Sequence, residues 1–130
     1  MTFSEVKNVS SYKWSPEEFI EQVIPKCIKL DRTKGWDRII QFYITDLGEW
    51  YLEVKDQKAT MTKGKHPEPD LEFTMDFDTL YGLFTGEVFA PTAISKGKMK
   101  AKGPMTDQMM FPRIMMRLRE VGEFREKLKG

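Results

Sequence analysis

Arg38-Ile39-Ile40-Gln41-Phe42-Tyr43-Ile44 has a period of two, with Ile40, Phe42 and Ile44 alternating against Ile39, Gln41 and Tyr43. That is the pattern of a strand with one apolar face. Asp46-Leu47-Gly48 supplies a turn, after which Trp50, Leu52 and Val54 alternate with Tyr51, Glu53 and Lys55. A second turn at Asp56-Gln57 leads into Ala59 and Met61 alternating with Thr60 and Thr62. Residues 38–63 therefore read as a three-stranded meander with one face turned to a core.

Upstream, Ser15-Pro16-Glu17-Glu18-Phe19 is a helix start. Ser15 can cap, Pro16 suits the first helical position, Glu18 completes a capping box, and Trp14 and Phe19 occupy the two positions of a hydrophobic staple. Phe19, Ile20, Val23 and Ile24 follow on one side before Pro25, which must kink or break the helix. A second helical stretch through Cys27, Ile28 and Leu30 is expected, ending at Lys34-Gly35.

Downstream, Lys63 to Asp70 holds two prolines and a glycine and reads as a loop. Leu71, Phe73 and Met75 then mark a fourth strand, and Asp76 caps a short helix carrying Phe77, Leu80, Tyr81, Leu83 and Phe84, with Gly86 at its C-terminal cap. One helical turn is expected at Pro91 to Ile94. Lys98 to Lys102 reads as a fifth strand, and a final helix from Thr106 or Asp107 carries Ile114, Leu118, Val121 and Leu128 on one stripe, kinked at Pro112. Helices gathered on one face of a mostly antiparallel five-stranded sheet make an α+β domain, and residues 1–130 are expected to form one domain.

Composition narrows the function classes. The chain has 130 residues, 21 basic and 20 acidic, for a net charge of +1, so no global field draws it to nucleic acid, and none is expected as a partner. Its mean hydropathy of −0.51 is that of an ordinary soluble protein. The first seven residues lack the apolar run of a signal or anchor, and a single cysteine, Cys27, fits a reducing compartment. The cytoplasm is the expected location.

Candidate chemistry is sparse. His66 with Glu68 and Asp70 could in principle ligate a metal, but the loop offers no further convergent ligand. No metal or cofactor is expected. Cys27 on an apolar stretch reads as a buried thiol. Asp76 and Asp78 flank an apolar helix and are the candidates for an acid–base enzyme, although capping accounts for them more simply. Lys96, Lys98, Lys100 and Lys102 share a face and form a basic row roughly 20 Å long at about 3.3 Å per residue. That row is either a solvated sheet face or a contact for anionic groups, including transient contact with a membrane.

The surplus of apolar side chains lies further on. Six of the nine methionines fall between Met99 and Met116, and Met109, Met110, Phe111, Ile114, Met115 and Met116 crowd eight positions, wider than one sheet face covers. Methionine is flexible and polarizable, so such a wall can reshape around variable apolar partners. Core filling, a lipid cavity and an oligomer interface all remain open on the residues alone.

Pro69-Asp70-Leu71-Glu72-Phe73-Thr74-Met75, the capped helix ending in Thr85-Gly86, and Gly97-Lys98-Met99-Lys100-Ala101-Lys102-Gly103 together resemble the signature of the sterol carrier protein 2 domain family. Trp50-Tyr51-Leu52-Glu53-Val54 also fits, and the resemblance spans roughly residues 16 to 120. It implies a five-stranded sheet with a hydrophobic tunnel between sheet and helices, taking a fatty acid, fatty acyl-CoA, phospholipid or sterol. On that analogy the cavity is lined by Phe42, Trp50, Leu52, Met61, Phe73, Phe77, Leu80, Phe84, Met99, Met109, Met110, Ile114, Met115 and Leu118, with the final helix as a lid.

Two departures stand out: Pro104 replaces a polar residue usual in the family, and Pro112 interrupts the lid helix. Lys127-Leu128-Lys129-Gly130 is not a peroxisomal address, so a free-standing prokaryotic-type member is expected. The leading reading is non-catalytic lipid binding and transfer. The alternative is an interaction or homodimerisation module for lipid or quinone metabolism, built on the Met-rich helix.

Overall fold

The computed structural model describes residues 12–129. The N-terminal segment read above for a signal or anchor, and Gly130, lie outside the described residues.

The meander forms as its periodicity requires: β1 is Arg38–Ile44, β2 Gly48–Lys55 and β3 Lys58–Lys63. Phe42 pairs with Trp50, and Leu52 with both Ile40 and Met61. The fourth strand, β4 (Leu71–Met75), enters differently. It lies parallel to β1, and β5 (Met99–Lys102) closes the sheet antiparallel to it, giving the order β3-β2-β1-β4-β5. The sheet is therefore mixed, with one parallel pair among antiparallel ones.

Parallel strands ordinarily need a crossover of a dozen or more residues. The connection from β1 to β4, residues 45–70 with β2 and β3 inside it, meets that length, and its last part, residues 64–70, passes over β2 and β1 on the way from β3. Gln41 explains how. Its side-chain amide donates to the carbonyl oxygens of Trp50 and Gly64, both at 3.0 Å, and its Oε1 accepts from the His66 N–H at 2.8 Å. Asp70 completes the clasp, its Oδ2 accepting from the Ile39 N–H at 2.8 Å. A position read as outward and polar is thus fully buried, with its hydrogen-bonding capacity used.

The inner face is covered by helices. Helix α1 (Pro16–Glu18) begins at Ser15, whose hydroxyl accepts from the Glu18 N–H at 3.2 Å, with Trp14 and Phe19 ring centroids 5.9 Å apart. It runs on as a π-helical turn over Phe19–Val23 and a 3-10 turn over Ile24–Cys27. Pro25, which has no N–H to give, lies within that last turn, so the chain changes pitch where a break was expected. The expected second helix through Ile28 is not formed. Ile28 is extended and bridges Met115, and a 3-10 turn occupies Leu30–Thr33.

Helix α2 (Phe77–Thr85) is capped as expected. Asp76 accepts from the Thr79 N–H at 2.9 Å, and Gly86 closes the helix at φ 91°, a left-handed conformation that glycine adopts without strain. Helix α3 (Ala90–Ser95) follows and lies against β5.

The long final helix expected from residue 106 is instead broken into α4 (Met105–Ile114), a 3-10 turn (Leu118–Glu120) and α5 (Gly122–Lys129). Two forces end α4. Pro112 cannot donate to the preceding turn, and the backbone beyond it finds other partners, Lys29 N–H donating to the Ile114 carbonyl and Met116 N–H to the Cys27 carbonyl.

Candidate functional site: the interior between sheet and helices

The sheet's inner face and the helices above it form one continuous apolar layer. Phe42, Trp50, Leu52, Phe73, Phe77, Leu80, Phe84, Met99, Ile114 and Leu118 are all buried in it, and Met61, Met110 and Met115 are half-buried against it. Its middle is filled by rings: Phe111 lies 5.0 Å from Phe73 and 6.0 Å from Phe42, centroid to centroid. Where the resemblance places a tunnel, these side chains are in contact.

Met109 is placed differently from the rest, 54% exposed. The inward positions of α4 are Asp107, Phe111 and Ile114, a spacing of four then three that leaves Met109 on the outer side. Met105, at 66%, is also outside. The Met-rich segment is therefore divided, one part toward the core and one toward solvent.

Both ends of α4 are fastened. At its start the buried Asp107 carboxylate accepts from Trp36 Nε1 at 2.9 Å and from Arg38 Nε at 3.0 Å. Burial by itself would raise the Asp107 pKa. The hydrogen bonds from Arg38 and Trp36, with the guanidinium charge, outweigh it and hold the carboxyl below its ordinary range. At its end stands the Ile28–Met115 bridge. No signal in the sequence singled out Trp36 and Asp107, 71 positions apart.

Two of the surface cavities that border α2 reach Val88. One of about 440 Å³ is lined by Tyr12, Tyr81, Gly82, Val88, Leu118 and Leu128 with several charged groups. The other, about 340 Å³, lies between α2, the start of α3 and the end of α4, with Leu83, Val88, Phe89, Pro112, Met115, Lys29 and Arg117 on its walls. Val88 belongs to both. It sits in a notch left by Gly82, where a Cβ would meet its Cγ2 at 2.4 Å.

The remaining candidates have structural duties. His66 Nδ1 accepts from the Glu68 N–H at 3.0 Å, and the imidazole packs edge-on to Tyr51. Among the described residues no group of three His, Cys, Asp or Glu is gathered as metal ligands. The buried Cys27 thiol is pushed up to about 12 by burial first and then by Glu120 and Glu123, which disfavours the nucleophilic thiolate. Asp76 caps α2, and Asp78 accepts from the Tyr12 hydroxyl at 3.1 Å. Lys98, Lys100 and Lys102 are exposed on the outer side, Lys102 lying 3.9 Å from Glu72. Among the described residues no helix is long and apolar enough to cross a membrane.

The model of the SCP-2 sterol transfer family matches residues 17–116. No curated protein matches the chain in sequence. Among solved structures, the sec-alkylsulfatase Pisa1 from Pseudomonas sp. has a TM-score of 0.70 at 21% identity, over 79% of this chain and 16% of its own length. Sterol carrier protein 2 from Yarrowia lipolytica, in its apo form, has a TM-score of 0.51 at 28% identity, over 60% of this chain and 66% of its own. Palmitated SCP2L2 from Aedes aegypti has a TM-score of 0.58 at 16% identity, over 74% of this chain and 90% of its own. This chain thus corresponds to a small part of the sulfatase and to about two thirds of the yeast protein.

Proposed function

We propose that this chain, which belongs to the SCP-2 sterol transfer family, binds and transfers a lipid-like ligand without covalent chemistry. It acts as a single lipid-binding domain, in the cytoplasm. The observation that carries the reading is the apolar layer between sheet and helices, whose cover, α4, is interrupted by Pro112 and fastened at two discrete points. Such a cover can swing aside without unfolding the sheet. A long-chain ligand would take the place of the Phe111 ring and the half-buried Met110 and Met115. Each buried methylene gains about 0.8 kcal/mol, so an acyl chain can offset the contacts it displaces. The palmitate on the mosquito relative supports the ligand class.

The test is direct. Protein purified under native conditions and extracted for mass spectrometry should yield long-chain lipid, and a fluorescent fatty acid should bind and be displaced by unlabelled fatty acid. Extracts free of lipid together with no probe binding would refute the proposal.

Met105 and Met109, exposed on the outer side of α4, favour one second reading, self-association through that helix. Sedimentation of Met105→Glu/Met109→Glu beside the parent chain separates the two. Dissociation of a dimer with unchanged probe affinity would support an interface.

A further inference from the structure

The 340 Å³ cavity at the end of α4 combines two features that an ordinary surface dimple lacks. Its walls are largely apolar, and Phe89 at its rim, a large ring, is 66% exposed. Two cations, Lys29 and Arg117, border the same space, and among the described residues neither side chain forms an ion pair. The lining carboxylate, Glu120, is already engaged by the Arg117 backbone N–H at 2.7 Å.

Arg117 is also held in place. Its side chain lies over Gly86, where an added Cβ would meet Cδ and Nε at 3.3 Å, so the guanidinium rests at the C-terminal end of α2, where a helix dipole favours positive charge. Lys29 adjoins the Ile28–Met115 bridge, and its N–H donates to the Ile114 carbonyl. The two charges thus stand beside the fastening that must open for a chain to pass from this cavity to Ile114 and the core.

We infer that this cavity is the mouth of the binding site and that Lys29 and Arg117 hold the anionic head of a single-chain amphiphile, a carboxylate or a phosphate, while its tail enters past Met115. This rests on the lipid-binding reading above. The ligand class follows from apolar walls with a net positive rim: a neutral amphiphile of equal length gains the tail but not the head.

Titration with dodecanoate and with dodecan-1-ol at neutral pH tests it. The parent chain should prefer dodecanoate by about tenfold, the scale of one charge-assisted hydrogen bond. Lys29→Gln/Arg117→Gln should abolish the preference and leave dodecan-1-ol affinity unchanged. Lys29→Gln alone, which leaves Arg117 on Gly86, should remove about half of it on a logarithmic scale and guards against misfolding of the double variant.

Equal binding of both compounds by the parent chain would overturn the head-group assignment and leave lipid binding standing. Binding of neither would overturn both. Co-sedimentation with phosphatidylglycerol vesicles separates a free amphiphile from a bilayer headgroup. A double variant that no longer sediments yet keeps its dodecanoate preference would overturn the assignment and give the two cations to a membrane surface.

Discussion

Phe111→Ala probes the interior where it is fullest. The ring is 1% exposed and lies between Phe42 and Phe73 at centroid distances of 6.0 and 5.0 Å. Its removal loses both the transfer free energy and the dispersion contacts of the space it leaves, about 3–5 kcal/mol for a core phenylalanine. A domain of this size has a total of about 5–15 kcal/mol, so the variant should fold but be markedly weakened. With a urea slope of about 1–3 kcal/mol per molar, its unfolding midpoint should fall by more than about 1 M. Dodecanoate should then do more for the variant than for the parent chain. A ligand present at a hundred times its Kd stabilises by about 2.7 kcal/mol, and in the variant the tail enters volume already vacated instead of displacing a ring. Parallel urea titrations with and without dodecanoate read both effects. A midpoint shift below about 0.3 M, or ligand protection no greater in the variant than in the parent, would refute the placement of Phe111 in the ligand's path.

Asp107→Asn keeps an acceptor for Trp36 but removes the charge facing Arg38, and should cost about 1–3 kcal/mol at neutral pH. Because the folded carboxyl titrates below its unfolded value, its contribution is present above the unfolded pKa of about 3.9 and is lost as pH falls through the folded one. Urea midpoints should therefore converge between variant and parent in acid, and a constant difference would contradict the latch. Gly82→Ala should cost about 1–3 kcal/mol through collision with the Val88 Cγ2, and clearly less in a Val88→Ala background, where that carbon is gone and the gain in helix propensity is set only against the remaining Cβ at 3.1 Å. Thermal melts of the four proteins read the difference. Cys27, buried with its thiol pushed up to about 12, should react with a thiol reagent only in urea. Rapid reaction of the native protein would show the seam between the Ile24–Cys27 turn and the segment after α4 to be open.

The legible part of the fold was local. Alternation in β1 and β2, the Asp76 cap and the Gly86 stop are each written within a few residues, and all form as read. The parallel placement of β4 beside β1 was not legible, because inward Leu71, Phe73 and Met75 present the same period whichever way the strand runs. Gln41 was read as an outward residue, since its burial depends on a loop 23 and more positions away. The last helix was read as one because its apolar stripe continues through Leu118 and Val121, and the backbone bonds to Cys27 and Lys29 that interrupt it have no sequence signature. The same holds for the site. That the inner positions of the strands are buried was recoverable from periodicity, whereas Met109 faces out because the turn of α4 is set by the Asp107 latch. Lys29 and Arg117 gain meaning only when the bridge at Met115 brings their segments together.

The central claim is that lipid enters between the sheet and α4, and methionine methyl groups report on that space directly. In a carbon-13 methyl-methionine NMR titration with dodecanoate, Met99 on the sheet and the half-buried Met110 and Met115 should shift in a saturable way, while Met105, 66% exposed on the outer side of α4, stays in place. Saturable binding that moves Met105 and Met109 but leaves Met99, Met110 and Met115 unchanged would put the ligand on the surface and contradict the account.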